Sequence, residues 1–293
     1  MRQISICLIG LLLLALLVTG CSNTPAQSPD IPTFEELLEI NELENIFKTH
    51  TNAYIVFHSK SVMAPRDFTG EVIYIKDEAG FSTHKRINGI FDEGPLYVSD
   101  IGTAYYYLTP YAVEAALCIG SDPYYDQTLD FDSIPVGEGY VENDQIVYHS
   151  YRIAEADEML DASRTDITLY FNKDTKHIER MDYVIYNAEH KAEVEYSLTV
   201  SYDVENVQDK LDTTAYDTVM GSDKLIDLEI IVNAGTPEQA SYPFVAPTDA
   251  LVWAEFDDEV YLLYTDAACQ NEVATLDAYS GRERVTLYAK PAE

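Results

Sequence analysis

Six histidines, His50, His58, His84, His149, His177 and His190, are the side chains best suited to acid–base or metal chemistry. None stands in an HxH or HExxH arrangement, so no zinc motif is present. His149 lies in an alternating stretch beside Tyr151 and reads as a core or cavity-lining residue. Gly120-Ser121-Asp122 lacks the glycine two residues after the serine that a nucleophile elbow needs. Asp130-Phe131-Asp132 and Asp257-Asp258-Glu259 offer carboxylates for calcium, but neither has the spacing of an EF-hand loop. With 51 acidic residues in the chain, such groupings read as solvated turns. Glycosidase carboxylates are defined by a separation in space, which spacing in sequence does not give. No Gly-rich phosphate loop follows a strand, and the chain has only 13 glycines. These residues predict neither a catalytic nor a metal site, and no cofactor. A hydrolase acting on envelope polymers is the least supported reading.

Cysteine chemistry is more informative. Residues 1–21 begin with Met1-Arg2, continue through an apolar run from Ile4 to Val18, and close with Val18-Thr19-Gly20-Cys21. A short apolar core behind a positive start reads as a secretory signal rather than a spanning helix. The closing residues resemble the lipobox of bacterial lipoproteins, with Val18 where the pattern prefers Leu. The resemblance implies cleavage after Gly20 and a lipid anchor on Cys21. Two or three acyl chains there would hold the protein stably on a membrane, which one chain does not. Residues 21–32 follow the signal of residues 1–20 as a flexible tether rich in Ser and Pro. Of the other cysteines, Cys7 leaves with the signal. Cys118 and Cys269 stand 151 positions apart in an extracytoplasmic setting, as a disulfide or as two buried thiols.

Composition narrows the partners. A net charge of −33 repels phosphate backbones and argues against nucleic acid as a partner. It also argues against the body lying flat on an anionic membrane. Hydrophobic residues at 47% suffice for a packed core. The 23 tyrosines against one tryptophan suit half-buried sheet faces.

The elements that would position any site are mostly strands. Thr33 to His50 alone reads as a helix: Thr33 and Glu36 form a capping-box pattern, and Phe34, Leu37, Leu38, Ile40, Leu43, Ile46 and Phe47 recur at helical spacing. Strands are predicted over 53–59, 69–76, 80–86, 103–108, 145–153, 166–171, 177–186 and 192–202. The last is the cleanest, with Val194, Tyr196, Leu198, Val200 and Tyr202 alternating with polar residues. Asn172-Lys173-Asp174 marks a hairpin turn. Ile55, Phe57, Ile73, Ile75, Leu169, Phe171, Tyr196 and Leu198 are expected to face the helix, either as a filled core or as the lining of a ligand cavity.

The order of signal, amphipathic helix, Thr69-Gly-Glu-Val-Ile-Tyr-Ile-Lys76 and the hairpin from Ile167 to Met181 resembles the LolA/LolB/LppX-like superfamily of envelope lipoproteins. The resemblance covers residues 33–218. It implies an antiparallel half-barrel wrapped on the helix, with an apolar cavity that takes lipid in some members. Tyr264-Thr-Asp-Ala-Ala-Cys269 and Val285-Thr-Leu-Tyr-Ala-Lys290 resemble the end of a Listeria–Bacteroides repeat, implying a small β-grasp-like module over 225–293. This module lacks the family's Gly-Trp before the tyrosine and its final Trp. The expected protein is α+β and mainly antiparallel. It is a lipid-anchored envelope lipoprotein, on the surface of a Gram-positive cell by the C-terminal resemblance, binding a lipid or other apolar ligand. The alternative is a non-catalytic interaction module for an envelope protein.

Overall fold

The computed structural model describes residues 31–62, 67–77, 80–101, 103–119, 137–152, 162–221, 223–257, 259–273, 276, 279 and 284–292. The signal, Cys21, most of the tether, Ser121, the Asp130–Asp132 grouping and Asp258 lie outside these residues. In chain order the helices are α1 (Phe34–Ile40), α2 (Leu43–Ile46) and α3 (Thr214–Val219). The strands are β1 (Asn52–Ser61), β2 (Phe68–Asp77), β3 (Gly80–Asn88), β4 (Leu96–Ile101), β5 (Ala104–Leu108), β6 (Val113–Ile119), β7 (Tyr140–Glu142) and β8 (Gln145–Arg152). They continue with β9 (Ala162–Asn172), β10 (Ile178–Asn187), β11 (Ala192–Tyr202), β12 (Leu225–Val232), β13 (Ala240–Pro247), β14 (Leu251–Phe256), β15 (Glu259–Tyr264) and β16 (Arg284–Pro291). The fold is therefore α+β and mainly antiparallel strand. No helix among the described residues is long and apolar enough to cross a membrane.

Two compact units are formed, and their division differs from the expected one at residues 218–225. The first takes the chain to Glu71 together with 137–207; the second takes 72–119 together with 208–292. The first unit carries α1, α2 and the strand order β1-β11-β10-β9-β8-β7, each neighbour antiparallel. The second runs β13-β12-β16-β15-β14-β6-β5-β4-β3-β2, with β12–β16 and β14–β6 parallel. The reason for the different boundary is the β14–β6 pairing, which joins Leu251 to Glu114 across the sequence. Residues 225–293 thus share one core with β4–β6: Tyr97, Tyr106 and Leu117 pack with Ile226, Ile230, Phe244 and Leu287. The Tyr106 hydroxyl donates to the Val245 carbonyl at 2.7 Å, and its ring stacks on Phe244.

The N-terminal helix starts as the sequence predicts and ends sooner. Thr33 Oγ1 accepts from the Glu36 N–H at 3.2 Å, and the Glu36 carboxylate accepts from the Thr33 N–H at 2.7 Å. This capping box satisfies two of the donors a helix start leaves open. The expected helix to His50 breaks at Asn41 instead. The Asn41 amide donates to the Leu37 carbonyl at 2.7 Å and to the Lys176 carbonyl at 2.9 Å, while its Oδ1 accepts from the Ile178 N–H at 2.8 Å. A side chain serving backbone of both helix and sheet holds the chain at this point, and Asn41 is buried. Lys48 and His50 consequently lie beyond α2, rather than in a last helical turn.

Asn172 organises the β9–β10 turn. Its Oδ1 accepts from the N–H groups of Asp174 and Thr175 at 2.9 and 3.0 Å, and Lys176 takes a positive φ to return the chain.

Candidate functional site

Cross-strand register defines one apolar face in the first unit, since directly paired residues point to the same side. Phe57 pairs with Leu198, Leu198 with Met181, Met181 with Leu169, and Leu169 with Tyr148. A parallel row joins Ile55 to Val200, and Phe171 to Ile146. Tyr196 pairs with Tyr183, and Tyr183 with Ile167. Six expected residues, Ile55, Phe57, Leu169, Phe171, Tyr196 and Leu198, therefore share this face, and all are buried.

Ile73 and Ile75 do not belong with them. A Cβ built on Gly70 would enter the Phe57 ring, so Gly70 shares the Phe57 side of β2. Glu71 shares the other side, where its Oε1 accepts from the Tyr54 hydroxyl at 2.6 Å. Alternation along β2 then puts Ile73 and Ile75 with Glu71, and both fall in the second unit. Its own burial and then this hydrogen bond to Glu71 push the Tyr54 hydroxyl up to about 12. His149 is likewise off the apolar face: it pairs with Thr168, whose hydroxyl lies 3.0 Å from its Nδ1, while buried Tyr148 and Ser150 flank it.

The cover of the face is short. Phe34 packs on Tyr148 at 5.4 Å between ring centroids, and the Tyr148 hydroxyl donates to the Pro32 carbonyl at 2.5 Å. Leu37, Ile46 and Phe47 are buried. Further along the same strands, Ser59, Tyr183, Ile185 and Val194 are only half-buried. The face thus has a covered end under α1 and α2 and a more open apolar end.

At the covered end, a polar cluster ties the helical segment to the sheet. His50 Nδ1 lies 2.6 Å from Asp203 Oδ2, and His50 Nε2 lies 2.8 Å from His177 Nδ1. Asp203 Oδ1 also accepts from the Thr51 N–H at 2.9 Å and from its hydroxyl at 3.2 Å. The Thr51 N–H and then the His50 contact hold the Asp203 carboxyl below its usual range. Burial, reinforced by the neighbouring His50, pushes the His177 imidazole down. The His50 ring stacks on Tyr202 at 4.7 Å, and burial raises the Tyr202 phenol. Sequence reasoning missed this cluster. His50 and His177 stand 127 positions apart, and neither carries a local motif.

In the second unit, His84 Nδ1 lies 2.9 Å from Ser99 Oγ, and burial pushes the imidazole down. Ser99 is 3% exposed, which seals its hydroxyl from a substrate. Among the described residues no group of three His, Cys, Asp or Glu is placed to hold a metal ion.

Cys118 and Cys269 are not joined to each other, so the bridge weighed from the sequence is not formed. Cys118 is fixed in β6, paired with Glu255, whereas Cys269 sits in the turn after β15 with a positive φ. Burial and the nearby Asp266 raise the Cys269 thiol. Reducing agent is therefore expected to leave the thermal midpoint unchanged; a fall of several degrees on reduction would show a disulfide after all.

No family model and no curated protein matches the chain. Solved structures share parts of it at low similarity. An uncharacterised conserved protein from Thermus thermophilus is 7% identical with a TM-score of 0.37, over 60% of this chain and 92% of its own. LprF from Mycobacterium bovis is 11% identical with a TM-score of 0.32, over 54% and 88%. A LolA superfamily protein, NE2245 from Nitrosomonas europaea, is 11% identical with a TM-score of 0.28, over 64% and 100%. At these scores the site rests on its own geometry: a β-sheet unit with one apolar face under a short, hydrogen-bonded helical cover.

Proposed function

We propose that the chain is an extracytoplasmic lipoprotein, anchored through Cys21, whose first unit binds a lipid or another apolar ligand on the face carrying Phe57, Leu169 and Leu198. The observation that carries this reading is the graded cover of that face. It is sealed beside Tyr148 and half-open at Tyr183, Ile185 and Val194. An acyl chain entering at the open end would extend the apolar surface already buried, at about 25 cal/mol per Å2 removed from water. In this reading the sheet is a half-barrel around α1 and α2, and the role is carrying or holding rather than catalysis. The sequence resemblance to LolA-like lipoproteins supports the same role. For the C-terminal strands, the parallel neighbours β12 and β16 support the β-grasp-like reading. The Gram-positive surface remains the preferred location on the C-terminal resemblance.

A second reading, docking of an envelope protein, is favoured by β7, which ends the strand order among the described residues and where Tyr140 and Val141 are exposed. Native mass spectrometry of Ser22–Glu293 separates the two. Adducts with fatty-acid or phospholipid masses, lost on denaturation, are expected. A bare mass after incubation with lipids would sink the lipid reading and leave the partner reading.

A further inference from the structure

Two of the polar ties that hold the α1–α2 segment to the first unit's sheet differ in their response to acid. Asn41 bonds the backbone of Lys176 and Ile178 and carries no titratable group. His50 bonds His177 at 2.8 Å, one residue along the same turn, and its other nitrogen meets Asp203. The Asp203 carboxylate can only accept, so His50 Nδ1 carries a proton. The second bond, between two imidazole nitrogens, needs one proton and one lone pair.

We propose that the His50–His177 hydrogen bond is an acid-released latch, which loosens the α1–α2 cover from the apolar face when both rings are protonated. With both rings fully protonated, His50 Nε2 and His177 Nδ1 are both donors, and two cations face each other across the former bond. The bond is then lost and repulsion replaces it. This inference rests on the reading of that face as a ligand surface for its purpose, though not for its chemistry.

The surroundings set the pH at which this happens. Asp203, on the exit of β11, is the carboxylate facing His50, and Tyr202 stacks on the same ring. Tyr202 also lies against His177, and its hydroxyl donates to the Ile178 carbonyl. Glu179 on β10 acts on Tyr202. Lys48 is turned to Asn45 and Lys176 to the Lys173 carbonyl, so neither ammonium is directed at the pair. His177 is disfavoured as a cation by burial and by His50 itself. A histidine held below its ordinary value of about 6.5 contributes stability that is complete above that value and falls as the pH drops beneath it. Asp203 titrates at lower pH still, being held below the usual carboxylate range. Mild acidification therefore reaches His177 before Asp203.

Hydrogen exchange read by mass spectrometry on the full chain in detergent micelles, at pH 7.5 and 5.5, tests the latch. After correction for the intrinsic pH dependence of exchange, peptides spanning 34–49 are expected to lose about tenfold protection at the lower pH. Peptides from the centres of β9 and β11 are expected to hold theirs. In His177→Gln, whose neutral amide can still meet His50, the pH response should vanish; His50→Gln probes the same bond from the other side. Unchanged protection in the wild type overturns the latch, and so does a response retained in both variants. No lipid enters this measurement. A responding latch with a bare native mass spectrum would thus overturn the lipid reading alone, and a flat profile would overturn the latch alone.

Discussion

Replacing Asn41 with Ala is expected to lower the unfolding free energy of the first unit by about 3 kcal/mol. The substitution removes a side chain that makes three hydrogen bonds within a buried site. The Leu37 carbonyl keeps a partner, because the Asn41 backbone N–H also reaches it at 3.1 Å. The Ile178 N–H and the Lys176 carbonyl lose the partner that Asn41 supplies. A buried polar group left unmatched costs about 1–3 kcal/mol, and two such groups set the estimate. Asn41→Asp is informative beside it. A carboxylate can still accept from Ile178 but cannot donate to either carbonyl, so it should be nearly as damaging. Urea unfolding followed by exchange in β8–β11 peptides measures the effect. Trp253, the single tryptophan, lies in the second unit and gives an internal control. A change below about 1 kcal/mol would mean that Asn41 does not clamp helix to sheet.

The second large effect is expected at Gly70. Phe57 lies over this glycine, is 6% exposed, and stacks on Tyr196 at 5.9 Å. Gly70→Val has the better strand former, so backbone preference alone would stabilise the variant. Its side chain must nevertheless displace a buried ring stacked on Tyr196, which costs about 3 kcal/mol. Phe57→Ala alone should cost about 3–5 kcal/mol through the cavity it leaves. The double variant is expected to cost clearly less than the sum, because valine fills part of the space the ring vacated. Additive losses would show that the two residues do not touch, and would remove the argument that places Gly70 on the apolar side of β2.

Strands β11 and β2 differ in how far the sequence is legible. Alternation in 192–202 states both the strand and its buried side, and Val200, Leu198 and Tyr196 lie where the pattern puts them. The Thr33–Glu36 box states where the helix starts. In β2 the run Val72-Ile73-Tyr74 is buried on both sides, so composition cannot say which parity faces Phe57. Ile73 and Ile75 look like the best lining residues, whereas the glycine that makes room for the ring carries the information. The same physics hides β6. Ala115, Ala116, Leu117 and Cys118 are all buried, and a strand buried on both faces shows no alternation. Strand β4 escaped for the same reason, with Tyr97, Val98 and Ser99 buried in succession. Asn41 and the His50–His177 pair are illegible for a different reason. Each acts through a partner more than 100 positions away, and neither residue type departs from its local pattern.

The pairing of β14 with β6 bears on how the protein acquires its structure. Glu114 waits for Leu251, 137 positions later, and the intervening chain contains most strands of the other unit. The meander β9–β11 closes through short turns and can form early, because each step gains contacts for little lost loop entropy. The second unit cannot complete its sheet until residues 251–256 arrive, leaving β6 with an open edge meanwhile. Such an edge invites pairing with other chains. The slow step in folding should therefore belong to the second unit. Trp253, placed in the strand that closes it, would report that step as it happens.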